Sequence, residues 1–519
     1  MECKVKNAII SVSDKTGLIS FARGLTELGV QIYSTGGTAK TLQKEGINVT
    51  MISEYTGFPE ILDGRVKSLH PKIHGGILAM RSDQSHMDQI KKNDIIPFDL
   101  VVINLYPFEK VIKKEGTSLE EAIENIDIGG PSMLRSAAKN YQWVCTICDP
   151  AYYDECLKEL KQRGEISIDT RKKMARAVFE KTAYYDSIIS SYFQTVIAST
   201  DEGFPETINI YFKKNQKLRY GENPSQTACF YTDLEPRISG VATAKKLWGK
   251  ELSFNNILDV DSAFEIVKCF DGPACSVIKH TNPCGVAQAA TLSSAFHDAW
   301  KSDPVSAFGS IVGFNRPVDD ETAEEILKAG FVECIIAPGY NKGALKLLES
   351  KKSLRILEAG ITNEDEVYDF DIKRVVGGVL IQQRDLVDLQ EKELKLVTTH
   401  KANTQDLTSL LFAWKVAKWV KSNAIVLTKG TKTVGVGAGQ MSRVDAAFMA
   451  VHKAGSRSKG SVMASDAFFP KTDAVELASR AGVRAIIQPG GSISDDDVID
   501  MCNKKSIAMY FTGMRHFRH

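Results

Sequence analysis

The chain has 519 residues, too many for a single core, so two to four domains are expected. Its 43% hydrophobic and 25% charged residues are those of an ordinary globular protein. Its 65 basic and 64 acidic side chains leave a formal charge of +1, which argues against a general nucleic-acid or membrane surface and leaves any anionic ligand to local cations.

The opening Met1-Glu2-Cys3-Lys4-Val5-Lys6 lacks a signal-peptide core, and no apolar run approaches a membrane span. Ten dispersed cysteines read as reduced thiols of a cytoplasmic protein. Val5 to Val12 reads as a strand, and Asp14 as the cap of a helix with Leu18, Phe21, Ala22, Leu25 and Leu28 on its apolar face. Gly29 ends that helix, Val30 to Tyr33 gives a second strand, and Gly36-Gly37-Thr38 opens a second helix. Phe98 to Leu105 is a further buried strand, and Pro131 stands where a helix begins that closes at Ala137 to Asn140. Such alternation implies a mostly parallel sheet with helices on both faces. Cys145 and Cys148 have CxxC spacing, but both lie in the apolar run Trp143 to Cys148 and read as buried small hydrophobes.

Phe204-Pro205 is the best linker candidate, so the domains are set at 1–200 and 201–519. The second region has strand-like runs at Ser276 to Lys279, Ile335 to Ala337, Ala424 to Thr428 and Ala485 to Gln488. Two half-domains are expected there, dividing between about 360 and 405.

Two constellations carry chemistry. Ser13, Lys15, Thr35, Gly37 and Thr38 cluster at strand-to-helix turns, where backbone N–H groups, hydroxyls and one ammonium suit a phosphate. Plain helix capping is the competing account. Lys279-His280-Thr281-Asn282-Pro283-Cys284-Gly285 puts a cation beside an imidazole at a strand end, where acyl chemistry would be placed. Gly435-Val436-Gly437-Ala438-Gly439 reads as a tight turn rather than a dinucleotide site.

These motifs occur with Gly64-Arg65-Val66-Lys67-Ser68-Leu69-His70-Pro71, Asn104-Leu105-Tyr106-Pro107-Phe108 and Ile126-Asp127-Ile128-Gly129-Gly130. Arg219-Tyr220-Gly221-Glu222-Asn223-Pro224, Ser465-Asp466-Ala467-Phe468-Phe469-Pro470 and the terminus Arg515-His516-Phe517-Arg518-His519 follow. Together, in this order, they resemble the bifunctional purine-biosynthesis family in which AICAR formyltransferase is joined to IMP cyclohydrolase. The resemblance implies an α/β protein: a methylglyoxal-synthase-like domain, then two cytidine-deaminase-like α/β/α units. It implies formyl transfer from 10-formyltetrahydrofolate to AICAR, then dehydrative closure of FAICAR to IMP, with no catalytic metal, and it leaves a structural monovalent cation open. It also implies a homodimer.

By the same resemblance Arg65, Lys67, Tyr106, Asp127 and Lys139 match the cyclohydrolase site. Lys67 becomes the candidate oxyanion donor, and Tyr106, Asp127 and Lys139 the candidates for orientation and proton transfer. In the transferase His280 is the candidate proton acceptor, Lys279 the oxyanion or N10 donor, and Asn423 the group that orients the imidazole. Arg219, Tyr220, Ser442, Arg443 and Arg515 resemble the nucleotide-binding set, and Phe308, Gly309, Glu333, Phe469, Phe517 and His519 complete the pocket. Lys471 departs from the pattern, since many relatives carry an aromatic residue there; the cation would face the glutamate tail of folate.

Three other readings are weaker. A zinc deaminase needs H-x-E before P-C-x-x-C; Pro283-Cys284 is present, but position 287 is Ala287 and no His precedes a Glu by two. A regulatory binding module would not need Lys67, Tyr106, Asp127 and Lys139 together. A methylglyoxal-synthase-like lyase leaves the second region unexplained.

Overall fold

Strands buried on both faces organise the first part of the chain. The structure, a computed structural model, describes residues 4–197, 204–234, 236, 238–360 and 370–519. The expected join at 200/201, and 361–369 within the expected internal boundary, lie outside the described residues. The chain divides into two units, Met1–Tyr211 and Phe212–His519.

In the first unit β1 (Asn7–Val12), β2 (Gln31–Ser34), β3 (Thr50–Met51), β4 (Leu100–Asn104) and β5 (Cys145–Ile147) form a parallel sheet in the order β3-β2-β1-β4-β5. Along β1, Ala8, Ile10 and Val12 enter one core and Ile9 the other. Both faces are covered, so the strand reads as an unbroken apolar run. The strand order reverses between β1 and β4, which opens a crevice beyond their carboxyl ends, the usual ligand position in such sheets.

One expected cap is different. The helix Leu18–Glu27 starts after Gly17, at φ 68°, while Asp14 accepts from the Thr16 N–H at 2.9 Å and its hydroxyl at 2.7 Å. The carboxylate closes a local turn ahead of the helix instead of capping it. Cys145 and Cys148 are buried, and burial pushes the Cys148 thiol up to about 11, as suits packing rather than chemistry.

The second unit has two separate hairpins, β6 (Phe212–Lys217) with β7 (Cys229–Asp233) and β14 (Phe370–Val375) with β15 (Gly378–Gln383). Its main strands are β8 (Lys245–Trp248), β9 (Ala274–Lys279), β10 (Asn282–Gln288), β11 (Ser310–Phe314), β12 (Val332–Ala337) and β13 (Arg355–Glu358), then β16 (Lys395–Leu396), β17 (Ile425–Lys429), β18 (Lys432–Gly437), β19 (Val462–Ser465), β20 (Ala485–Gln488) and β21 (Ala508–Phe511). They form one twelve-stranded sheet, β16-β21-β20-β19-β17-β18-β10-β9-β11-β12-β13-β8.

Read outward from the centre, the two halves repeat one plan. Each has an antiparallel hairpin, three mutually parallel strands and an antiparallel edge strand. They join where β10 meets β18 antiparallel, Ala287 opposite Lys432. The helices Phe254–Lys268 and Thr404–Ala417 share one core, while Leu292–Ser302 and Arg443–Ala454 lie in two separate clusters. A Cβ on Gly285 would overlap the Ala299 carbonyl oxygen, and one on Gly435 that of Ala450. Two glycines thus let each helix lie close on its strand. Gly435 serves packing within β18, and the turn of that glycine-rich run is left to Gly439, at φ 64°.

Candidate active sites

In the first unit the crevice between β1 and β4 gathers most of the expected set. The Ser13 N–H donates to Asn104 Oδ1 at 2.6 Å, and the Ser13 hydroxyl reaches Asn104 Oδ1 at 3.0 Å and the Leu105 carbonyl at 2.9 Å. Asn104 therefore pins the two strand ends together, a role its position in an apolar run did not signal. Thr35 stands at the N-cap position of the helix Gly36–Lys44 with an extended backbone, and its hydroxyl, instead of capping, lies 3.0 Å from that of Ser11. Thr38 is buried, exchanging hydrogen bonds with the Val12 backbone at 3.0 and 2.9 Å. It therefore ties the second helix to β1 rather than facing a ligand. The Lys15 ammonium donates to the Val12 carbonyl at 3.1 Å, and Gly37 carries a helix N-terminal N–H at the same strand end.

Asp127 stands just before the helix Gly129–Lys139. Its Oδ1 accepts the Gly130 N–H at 2.8 Å, and its own N–H donates to the Tyr185 hydroxyl at 2.8 Å. A Cβ at Gly130 would overlap the Asp127 carboxylate, which explains the glycine. Burial raises the Asp127 carboxyl above its ordinary value; hydrogen bonds from Gly130 and Tyr106 and the nearby Lys67 cation oppose this. Lys67, Tyr106 and Asp127 thus share a neighbourhood. Two expected members stand apart. Lys139 occupies the last turn of the helix whose first turn Asp127 holds, so twelve residues of rise separate them by roughly 18 Å. Arg65 is ion-paired with Glu124 on the surface.

In the second unit the β9–β10 turn carries the chemistry. His280 has φ 52° and Thr281 φ 60°. Both central residues are left-handed, as a type I′ hairpin requires, yet neither is Gly or Asn. A β-branched residue there is an outlier, and such residues cost about 1–3 kcal/mol each, strain that collects at functional sites. The Lys279 ammonium donates to the Phe308 carbonyl at 2.8 Å, which brings Phe308 and Gly309 to the turn.

The turn touches the other half of the sheet. Asn282 Oδ1 accepts the Lys421 N–H at 3.0 Å, and Asn282 Nδ2 donates to the His280 carbonyl at 3.1 Å. Lys421 leads into Ser422 and Asn423, so the turn that bears Lys279 and His280 meets the segment that bears Asn423 between the two halves. Asn423 donates from Nδ2 to the Gln440 carbonyl at 2.9 Å and accepts from Arg443 at 2.7 Å.

Three more of the expected residues are engaged within the fold. Arg443 is buried and ion-paired with the fully buried Asp466, and it also donates to Ser465 Oγ at 2.8 Å. Its guanidinium also donates to Asn423, so it braces that side chain. Phe469 is 0% exposed within an apolar core, and Phe468 is the open ring of the pair. Ser442 caps the helix Arg443–Ala454, accepting the Asp445 N–H at 3.1 Å and donating to its carboxylate at 2.6 Å.

Glu333 accepts from Asn256 at 2.9 Å and pairs with Arg355 at 3.4 Å. Arg219 and Tyr220, beyond β6, stack on each other with the guanidinium 5.5 Å from the ring centre. The C-terminus is tied down. His519 accepts from the Lys421 ammonium at 2.6 Å, the Arg518 carbonyl accepts the Ser422 N–H at 2.9 Å while the Arg518 N–H donates to the Ser422 hydroxyl at 3.3 Å, and Arg515 lies 4.4 Å from the Phe517 ring centre. A cleft of about 740 Å³ opens there, with Lys421, Phe517, Arg518 and His519 among its walls.

Comparison with known proteins decides between chemistries this arrangement could serve. Residues 137–453 match the AICARFT/IMPCHase bienzyme family, and residues 17–132 match the MGS-like domain. The chain belongs to the AICARFT/IMPCHase bienzyme family. The bifunctional purine biosynthesis protein PurH of Acetivibrio thermocellus is 52% identical over 516 residues, covering 99% of this chain and 100% of that one. PurH of Bacillus subtilis is 50% identical over 515 residues with the same coverage. This protein is therefore an AICAR formyltransferase and IMP cyclohydrolase of purine biosynthesis, and folate is the general kind of formyl donor it uses. Among the described residues no helix is long and apolar enough to cross a membrane.

Proposed function

We propose that the two reactions run on separate residue sets, one in each unit, with 10-formyltetrahydrofolate as the donor. The observation that carries this reading is the contact between the turn bearing Lys279 and His280 and the segment bearing Asn423, apart in sequence from Lys67, Tyr106 and Asp127.

In formyl transfer the 5-amino group of AICAR attacks the formyl carbon. Its lone pair is delocalised, so the step needs proton removal and a stabilised tetrahedral oxyanion. His280, displayed at the tip of a left-handed turn, accepts the proton. Lys279 supplies the cation, held toward the Phe308 backbone with further donors free for the oxyanion or N10. Asn423, braced by Arg443, orients the reacting groups.

In ring closure the carboxamide nitrogen of FAICAR attacks its own formyl carbon, and water leaves. An amide is a poor nucleophile, so preorganisation and oxyanion stabilisation carry the step. Lys67 is the oxyanion donor, and Tyr106 and Asp127 handle orientation and proton transfer. Ser13, Lys15 and the helix N-terminus at Gly37 hold the phosphate. Arg219, Tyr220, Arg515, Phe517 and His519 serve AICAR in the second site.

The protein works as a homodimer in the cytoplasm. The exposed apolar residues Val376 and Leu380 on and beside the β14–β15 hairpin support a second copy, and thiols buried among apolar side chains, such as Cys275 and Cys334, support a reducing compartment. The test is purified protein given AICAR and 10-formyltetrahydrofolate, with FAICAR and IMP followed separately. Failure of His280→Ala to accumulate less FAICAR would refute the transferase assignment.

A further inference from the structure

The two central hairpins of the second unit are the same element built twice, and they solve the same turn differently. In the second half, Lys429 and Lys432 close the β17–β18 turn, and its left-handed residue is Gly430, at φ 57°. In the first half, Lys279 and Asn282 close the β9–β10 turn, and its left-handed residues are His280 and Thr281. Glycine takes that conformation without steric cost, whereas His and especially Thr do not. The first turn must therefore be held by something the second does not need.

That something is on the neighbouring helix. Asp259 Oδ1 accepts the Thr281 N–H at 2.6 Å, and Oδ2 accepts the His280 N–H at 3.3 Å. The helices that carry the comparison start alike, with Ser253 and Asn403 as N-caps. Asp259 is the sixth residue after its cap, and the sixth after Asn403 is Ser409. Ser409 turns its hydroxyl onto the Gln405 carbonyl of its own helix, at 2.9 Å. The half with the strained turn has a bidentate carboxylate, and the half with the glycine turn has a serine that looks away. Burial raises the Asp259 carboxyl, and the two N–H groups and the His280 imidazole oppose this.

We propose that Asp259 is a positioning residue for formyl transfer, clamping the two left-handed N–H groups of the turn so that the His280 imidazole is presented at the seam. The proposal rests on the reading of His280 as the proton acceptor. Asp259 touches no reacting atom in this account; it acts through the backbone of His280 and Thr281.

The experiment uses the full-length chain and compares Asp259→Ala, Asp259→Asn, Thr281→Gly, the pair Asp259→Ala/Thr281→Gly and His280→Ala. Four of the five tryptophans, Trp248, Trp300, Trp414 and Trp419, lie in the second unit, so their emission reports its folding. Asp259→Ala is expected to lower kcat for formyl transfer about a hundredfold, the scale of a misplaced catalytic group, with KM for both substrates within about threefold. Asp259→Asn, which keeps one acceptor, falls between. Thr281→Gly alone changes little, because glycine favours the turn. In the double variant glycine replaces the function of the clamp, so kcat recovers at least about tenfold over Asp259→Ala, a non-additivity that a merely structural role would not produce.

Wild-type kcat in Asp259→Ala, or a double variant no faster than Asp259→Ala, overturns the proposal. Should Asp259→Ala lose its native emission, Asp259→Asn decides, and a wild-type rate there overturns it equally. Wild-type transfer in His280→Ala would instead overturn the reading of His280 and leave the clamp without a client.

Discussion

The two candidate sites of this protein are made by different means. In the first unit the crevice follows from sheet topology: order β3-β2-β1-β4-β5 reverses at β1, and Ser13 and Asn104 meet there because two parallel strands end side by side. In the second unit the sheet is a near-symmetric double, and the site arises where the symmetry fails. One hairpin tip is Lys279-His280-Thr281-Asn282 and the other Lys429-Gly430-Thr431-Lys432. A parallel sheet supplies a binding crevice with little local strain, whereas a duplicated mixed sheet needs one copy distorted to gain chemistry. The separate residue sets also predict that the two activities are independent.

The sharpest way to break that comparison is His280→Ala or Lys279→Ala. Formyl transfer should fall at least about a hundredfold, the usual scale for a lost base or oxyanion donor, while cyclisation of supplied FAICAR stays at the wild-type rate. Loss of both activities in a folded protein would mean one shared machinery.

The converse change, Lys67→Ala, should lower cyclisation by a similar factor of about a hundred and spare transfer. It also carries a pH signature. Burial raises the Asp127 carboxyl, so the carboxylate, and with it cyclisation, is lost as pH falls through a value above the ordinary 3.8. Lys67 is one of the groups that lower it, so the acid limb of the residual rate should move to higher pH in Lys67→Ala. A limb that stays put or moves down would separate Lys67 from Asp127.

A smaller effect is expected at the C-terminus. Chain ends usually fray, yet His519 and Arg518 are tied to Lys421 and Ser422. Deleting residues 515–519 should raise KM for AICAR in transfer about tenfold, the value of one lost charge-assisted hydrogen bond, without touching cyclisation. Unchanged transfer kinetics would make the tail a strap with no ligand.

The smallest effect concerns Lys471, exposed after Phe468 and the buried Phe469. Lys471→Phe should flatten the salt dependence of the folate KM, by no more than a few-fold at low salt, since exposed charge pairs are weak and screened. Superimposable salt titrations would leave Lys471 as plain surface.

How much of this was legible in the chain differs by the range of the interactions. β1, β2, β4 and β5 and the helix opened at Gly36 could be read directly, because apolar runs and glycines act within a few positions, whereas Asn282, Pro283 and Gly285, residues typical of turns, lie in β10 and the turn itself is His280-Thr281. The resemblance supplied the two reactions. The duplication of the second unit left no clean repeat in the sequence, because the two halves keep only burial and close-packing glycines such as Gly285 and Gly435, and many residues satisfy burial.

Only the tertiary structure decided which charged and aromatic groups remain available. Arg443 and Asp466, twenty-three residues apart, become a buried ion pair only in the fold. Phe468 and Phe469 are chemically identical, and the core claims the second. Lys139 has the same charge as Lys67, but a helix carries it away from Asp127. Asp259 stands in an ordinary helical sequence, and its meaning depends on a turn packed against it from β9 and β10. The sequence by itself determined the main strands of the first unit and the reaction class, since these follow from local patterning and from motifs kept in order. Which donors face ligand and which are spent inside was left to packing, because a buried charge must find its partner wherever the fold brings one.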